Sequence, residues 1–206
     1  MTQDEIDRLL KVTASGEEQQ DMQPEEWILI YRLLLGTGLR STELSLLTPS
    51  QINFANCRLT IEARKTKNRK ADVLPIKPTL VQILKERVEA MDIKSNERIF
   101  RHNQESIRRA FYVDLKAAGI EHKGADGHSV DVHSFRKTFG TMLAMAGVPL
   151  TTTQRLMRHS TPLLTAKLYI DVDPLNMMEA LEKLPEFEQV GPVLLASPKE
   201  SLNDSI

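Results

Sequence analysis

Residues 27–35 read Trp-Ile-Leu-Ile-Tyr-Arg-Leu-Leu-Leu, with Arg32 the one charge among them. A helix this apolar has almost no face to give to water, so it must be a core element that other parts of the chain cover. Pro24 suits its first turn, and Gly36-Thr37-Gly38 suits its end. The run is far short of the ~20 apolar residues a membrane span needs, and no signal peptide opens the chain. With 206 residues there is enough chain for one large domain or two small ones around that helix. Its 41% apolar and 27% charged residues rule out wholesale disorder. The lone cysteine, Cys57, excludes an intramolecular disulfide and a cysteine-cluster metal site. A reducing cytoplasm is the simplest location for such a chain.

The remaining pattern predicts a mainly α domain with one small antiparallel β-sheet, an α+β fold. Thr2 and Glu5 form a capping-box pattern opening a short helix over Ile6, Leu9 and Leu10. Residues 42–47 read as one or two helical turns stopped by Pro49. Residues 57–63 alternate and 71–76 are again β-like, which predicts a hairpin whose tip, 64–70, carries five cations. Pro78 starts a helix to about Met91, and Asn103 caps one that Gly119 stops. A helix over 133–146 is closed by Gly147, Thr151 with Gln154 caps a short one ending at Arg158, and 175–184 form a last amphipathic helix. The tail from Pro192 reads as a tether.

The net charge of −1 conceals strong segregation. Residues 1–31 and 171–206 each carry two basic and eight acidic side chains, whereas 32–170 hold 23 basic against 12 acidic. Residues 132–170 have no carboxylate at all, but five Lys or Arg and two His. That stretch is poorly suited to carboxylate or metal chemistry; it is either a solvated basic face or a place to bring a polyanion close.

Four stretches inside the basic zone carry candidate chemistry, each with a plainer alternative. Arg40, just after the glycine turn, can aim its fork at an anion with Glu43 orienting it, or the two form a surface pair. A lysine from the basic tip can enter a DNA groove or deliver a proton, or the tip is a solvated turn. His133 and Arg136, spaced i, i+3, share a helix face, or they are a capping His and a surface Arg. The segment Arg155-Leu156-Met157-Arg158-His159-Ser160 precedes Tyr169, the one tyrosine in the carboxylate-free zone; Tyr31 and Tyr112 have core-like neighbours. A loop run, His122, Asp126, His128, Asp131 and His133, fits no helical metal-ligand spacing and reads as a polar connection.

Taken in order, these motifs resemble those of the tyrosine recombinase, or phage integrase, family, from about residue 2 to residue 184. The resemblance implies that family's catalytic-domain fold. It matches Arg40 to the first catalytic arginine, Glu43 to the acidic residue after it, and Lys65 to the hairpin lysine. His133 and Arg136 match the His-x-x-Arg box, His159 the second histidine, and Tyr169 the nucleophile. Two features depart from the pattern: Arg158 stands where a small residue is common, and the interval from His159 to Tyr169 is one residue longer than usual. The implied activity is site-specific DNA strand cleavage through a 3′-phosphotyrosine and religation without metal, cofactor or ATP, as in DNA integration by mobile elements. A type IB topoisomerase and a catalytically silent DNA-binding relative are the alternatives. The implied partners are double-stranded recombination sites, on which a solution monomer assembles as a homotetramer. Arg64, Lys67, Arg69 and Lys70 of the tip, with Thr151, Arg155 and Arg158, are expected on the DNA. The catalytic domain is expected over 1–188 and a partly flexible tail over 189–206. An N-terminal core-binding domain is expected in a full-length protein but not in this chain.

Overall fold

The computed structural model describes residues 1–62, 71–123 and 129–170. The apolar run forms α2 (Pro24–Thr37), in which Trp27, Ile30, Tyr31, Leu33 and Leu34 are at most 1% exposed. It is covered by α1 (Gln3–Ala14) and by α6 (His133–Met145), while α5 (Gln104–Ala117) packs against α1. Phe135 of α6 stacks on Tyr31 at 5.2 Å between ring centroids, and Phe111 of α5 meets both rings. On another flank α4 (Pro78–Ala90) contacts α2, and Leu80, Val81 and Leu84 are its buried side chains. Among these helices no membrane-length apolar segment occurs within the described residues.

Local signals account for the helix ends. Thr2 Oγ1 accepts from the Glu5 N–H and the Glu5 carboxylate accepts from the Thr2 N–H, a reciprocal cap at the start of α1. Asn103 accepts from the Ser106 N–H to open α5. Gly38 ends α2 in the left-handed region at φ 61°. A β-carbon there would lie 2.4 Å from Phe139 Cδ1, so only glycine lets the end of α2 pass α6 so closely.

The sheet is antiparallel throughout, in the order β1 (Ile52–Asn53), β2 (Arg58–Ile61), β3 (Asp72–Pro75). Leu59 pairs with Leu74 and Ile61 with Asp72, so the β2–β3 ladder runs up to the segment that carries the basic tip. Ile52, Leu59, Ile61 and Leu74 turn inward. The tip 63–70, the expected helix over 175–184 and the tail lie outside the described residues.

Four local expectations change. β1 adds a third strand to the expected hairpin; two residues are too few to show a period. Pro49 opens a short 3-10 turn, Pro49–Gln51, as well as following α3 (Ser41–Ser45). The helix α7 (Leu150–Met157) begins two residues early, with Pro149 rather than Thr151 at its cap, so Thr151 sits inside the first turn and caps nothing. Gln154 instead donates to the His159 carbonyl. Finally, Tyr169 lies on a helix, α8 (Pro162–Ile170), that the pattern does not announce.

A buried carboxylate ties the helical layer together. Asp114 of α5, 2% exposed, accepts from Tyr31 at 2.8 Å, Thr13 at 3.0 Å and Gln19 at 2.7 Å. These bonds offset its desolvation and fasten α1, α2 and α5 to one point. Burial first, and then the Asp114 charge, push the Tyr31 hydroxyl well above its ordinary pKa, so it stays a neutral donor. Tyr31→Phe is expected to lower unfolding free energy by about 1–2 kcal/mol, read from the urea midpoint at unchanged m-value. No change would mean the network is not a structural tie.

Candidate active site

The site grows from Glu43, on the short helix α3 just past the end of α2. Its side chain is 1% exposed. Oε2 accepts from the Arg40 backbone N–H at 2.8 Å and from Arg158 Nη2 at 2.5 Å, and Oε1 accepts from Arg40 Nη1 at 2.9 Å. One buried carboxylate therefore holds two guanidiniums, one from its own turn and one 115 residues along the chain from it. Arg40 remains 36% exposed and keeps part of its fork open. The side chain of Arg158 is 3% exposed.

Arg136 supplies a third guanidinium, 2% exposed, one turn into α6. Its Nη1 donates to the Gly38 carbonyl, so the turn that presents Arg40 also fixes Arg136. Burial first, then Arg158 and Arg40, lower its pKa to about 9, which leaves it charged at neutral pH. Three guanidiniums thus gather near Glu43, two of them bonded to it, and positive charge prevails there.

Both histidines face this field. His133 opens α6, and burial first, then Arg136, lower its pKa. His159 follows Arg158, which ends α7 in the left-handed region at φ 50°. Burial first, then Arg136, Arg40, His133 and Arg158, bring His159 down to about 4, so its ring is neutral at pH 7. Its Nδ1 lies 2.9 Å from the hydroxyl of buried Thr165. The Tyr169 hydroxyl donates to the Val148 carbonyl and lies 2.7 Å from Thr153 Oγ1; neither partner belongs to the arginine–histidine cluster.

Two hollows adjoin these groups. Arg40 and His133 line one of about 260 Å³ with Ser41, Thr42, Arg108 and Tyr112. Arg158 and His159 line the other, of about 490 Å³, with Asp72 and Leu74 of β3 and with Thr151 and Arg155 of α7. The structure therefore gathers Arg40, Glu43, His133, Arg136 and His159, and brings Thr151, Arg155 and Arg158 to the second cleft. Arg158, expected on a DNA surface, turns inward to Glu43. Lys65, Arg64, Lys67, Arg69 and Lys70 lie outside the described residues. Among the described residues no cluster of three His, Cys, Asp or Glu could hold a metal ion. In the polar loop His122 Nδ1 is bonded to the Val130 carbonyl, and Asp126 and His128 lie outside the described residues. The buried partners Thr153 and Thr165 carry no distinguishing sequence signal, since a threonine inside a helix reads as filler.

Three guanidiniums and two imidazoles thus gather in a mainly helical domain with one small antiparallel sheet. The chain belongs to the phage integrase family, whose sequence model matches residues 1–175. It is 30% identical over 188 residues to tyrosine recombinase XerA of Thermococcus onnurineus (strain NA1), covering 89% of this chain and 61% of that protein. The catalytic domain of bacteriophage HP1 integrase matches with a TM-score of 0.64 at 25% identity, over 90% of this chain and 94% of that one. The Tn1549 transposon integrase, solved in complex with a circular intermediate DNA, shares the fold with a TM-score of 0.69 at 19% identity, over 89% of this chain and 65% of that one. The chain spans about three fifths of the curated relatives it matches.

The depressed imidazoles make stability depend on pH. In the unfolded chain they take up protons near pH 6.5, whereas folded His159 does so only near 4. The unfolded state then binds more protons, so stability falls as pH drops from about 6.5 toward 4 and is flat in this respect above about 7. The urea midpoint should follow that course, with a smaller drop in His159→Gln. An unchanged drop in the variant would show that His159 does not bear the depressed pKa.

Proposed function

We propose that the chain is the catalytic domain of a site-specific DNA recombinase that cleaves one strand through Tyr169 and rejoins it to another. The observation that carries this reading is the convergence of Arg40, Arg136, His133 and His159 around the buried Glu43, with Tyr169 on the next helix. Family membership supports it, as does the basic character of residues 32–170.

In this mechanism the Tyr169 oxygen attacks the scissile phosphorus as the bond to the 5′-oxygen breaks. Arg40 and Arg136 hold the non-bridging oxygens, whose charge grows from one to two negative units on the way to the phosphorane. His159, neutral and with Nδ1 engaged by Thr165, offers Nε2–H to the same oxygens. His133 assists removal of the tyrosine proton, and Lys65 gives a proton to the leaving 5′-oxygen. The phosphotyrosine keeps the bond energy, so an incoming 5′-hydroxyl can displace Tyr169 without ATP. Before attack, Tyr169 must leave Val148 and Thr153. A solution monomer is expected to form a tetramer on paired sites.

A nicked suicide substrate that traps covalent protein tests the reading. Tyr169→Phe should abolish the adduct while sparing non-covalent binding; an adduct that survives in this variant defeats the assignment. Arg40→Ala and Arg136→Ala should each slow trapping by about 10²–10³-fold. Lys65→Ala should recover on a 5′-bridging phosphorothiolate, whose leaving group needs no proton, and no recovery would point to Lys67. Relaxation of supercoils without partner sites would favour a topoisomerase instead.

DNA affinity should fall steeply with salt. For about five phosphate contacts, log K against log salt should slope near about −4 to −5. A flat line would show that the basic central zone does not face DNA.

A further inference from the structure

The buried side-chain donors that lack a partner among the described residues all belong to two guanidiniums: Nη2 of Arg136, and Nε and Nη1 of Arg158. Burying a cation costs several kcal/mol unless its charge is paired and its N–H groups have acceptors. Arg158 meets half of that requirement. Nη2 bonds to Glu43, but Nε and Nη1 have no hydrogen-bond acceptor among the described residues. We propose that Arg158 is a third guanidinium of the phosphate clamp, keeping Nη2 on Glu43 while Nη1 donates to the scissile phosphate.

Three observations support this assignment, which rests on the recombinase reading above. The first is location: Arg158 directly precedes His159, shares the β3–α7 cleft with it, and joins Arg40 on a single carboxylate. Among the charges acting on Arg136, that of Arg158 is the strongest, so the two guanidiniums with spare donors are neighbours.

The second is charge. Arg40 and Arg136 against Glu43 would leave one excess positive charge, enough for a phosphodiester. Arg158, with Asp72 of β3 also acting on it, adds a further positive charge as the phosphorane gains a further negative one. The added cation therefore favours the transition state over the ground state.

The third is backbone cost. A residue with a β-carbon held at φ 50° is strained relative to glycine, and this helix end carries arginine all the same. The same fact recommends Arg158→Gly as the deletion, because the relieved backbone partly offsets the lost ion pair with Glu43.

The test uses the full chain and the nicked substrate in two forms, one with the natural scissile phosphate and one with a methylphosphonate. The methylphosphonate lacks one non-bridging oxygen and develops one negative charge fewer. Arg158→Gly should trap the natural substrate about 10²–10³-fold more slowly, yet come within about tenfold of the parent chain on the methylphosphonate. Full activity on the natural substrate would overturn the inference. So would an equal penalty on both substrates, which would make Arg158 a tether for Glu43. Arg158→Lys keeps a cation for Glu43 without the other donors; it should recover less than about tenfold, and full recovery would also overturn the proposal.

Calorimetric binding of inorganic phosphate separates this inference from the function it builds on. The parent chain should bind phosphate at least about tenfold more tightly than Arg158→Gly. If that holds while the parent chain never forms a DNA adduct, the recombinase reading falls and the phosphate site stands. If the parent chain forms the adduct and Arg158→Gly matches it, the third clamp falls and the recombinase reading stands.

Discussion

The site depends on a carboxylate placed where almost no water reaches it. Glu43 is 1% exposed, and two guanidiniums and a backbone N–H converge on it. Taking one partner out of a buried charge pair costs about 3–5 kcal/mol, because the other is left unpaired. Here the loss would also release Arg40 and Arg158 beside Arg136, three like charges in a low-dielectric pocket. Glu43 therefore acts as the counter-ion that makes a dense cationic pocket possible in a folded chain.

Rigid attachment keeps that pocket in register. Arg136 is fastened to the carbonyl of Gly38, a residue that fits there because it lacks the β-carbon that would strike Phe139. One turn of chain thus orients the first two arginines together. Behind it, Asp114 draws Thr13, Gln19 and Tyr31 onto one point, so the helices carrying the turn cannot slide independently. The functional groups sit at helix ends, where free backbone groups and close approach are available, while helix interiors build the core.

Much of this was legible in the sequence because local physics dictates it. The caps at Thr2 and Asn103, the proline start and glycine stop of α2, and the i, i+3 placement of His133 and Arg136 each follow from a few neighbouring residues. What was not legible depends on distant partners. Nothing near Arg158 tells that its side chain turns inward, since its acceptor, Glu43, lies 115 residues away. Thr151 and Gln154 imitate a capping box, but Pro149 takes the cap and the helix starts before them. Thr153 and Thr165 become polar partners of Tyr169 and His159 only once α7 and α8 are folded.

The bonds of Tyr169 bear on how the proposed reaction would be timed. Its hydroxyl engages a backbone carbonyl and a threonine, neither of which changes charge across the pH range in which proteins remain folded. A change of acidity therefore has no handle on those contacts. Rotation of the side chain, or displacement of α8 relative to α7 and the segment before it, would free the oxygen. Such control is mechanical: the clock of the reaction would be a movement that draws the tyrosine off two neutral partners.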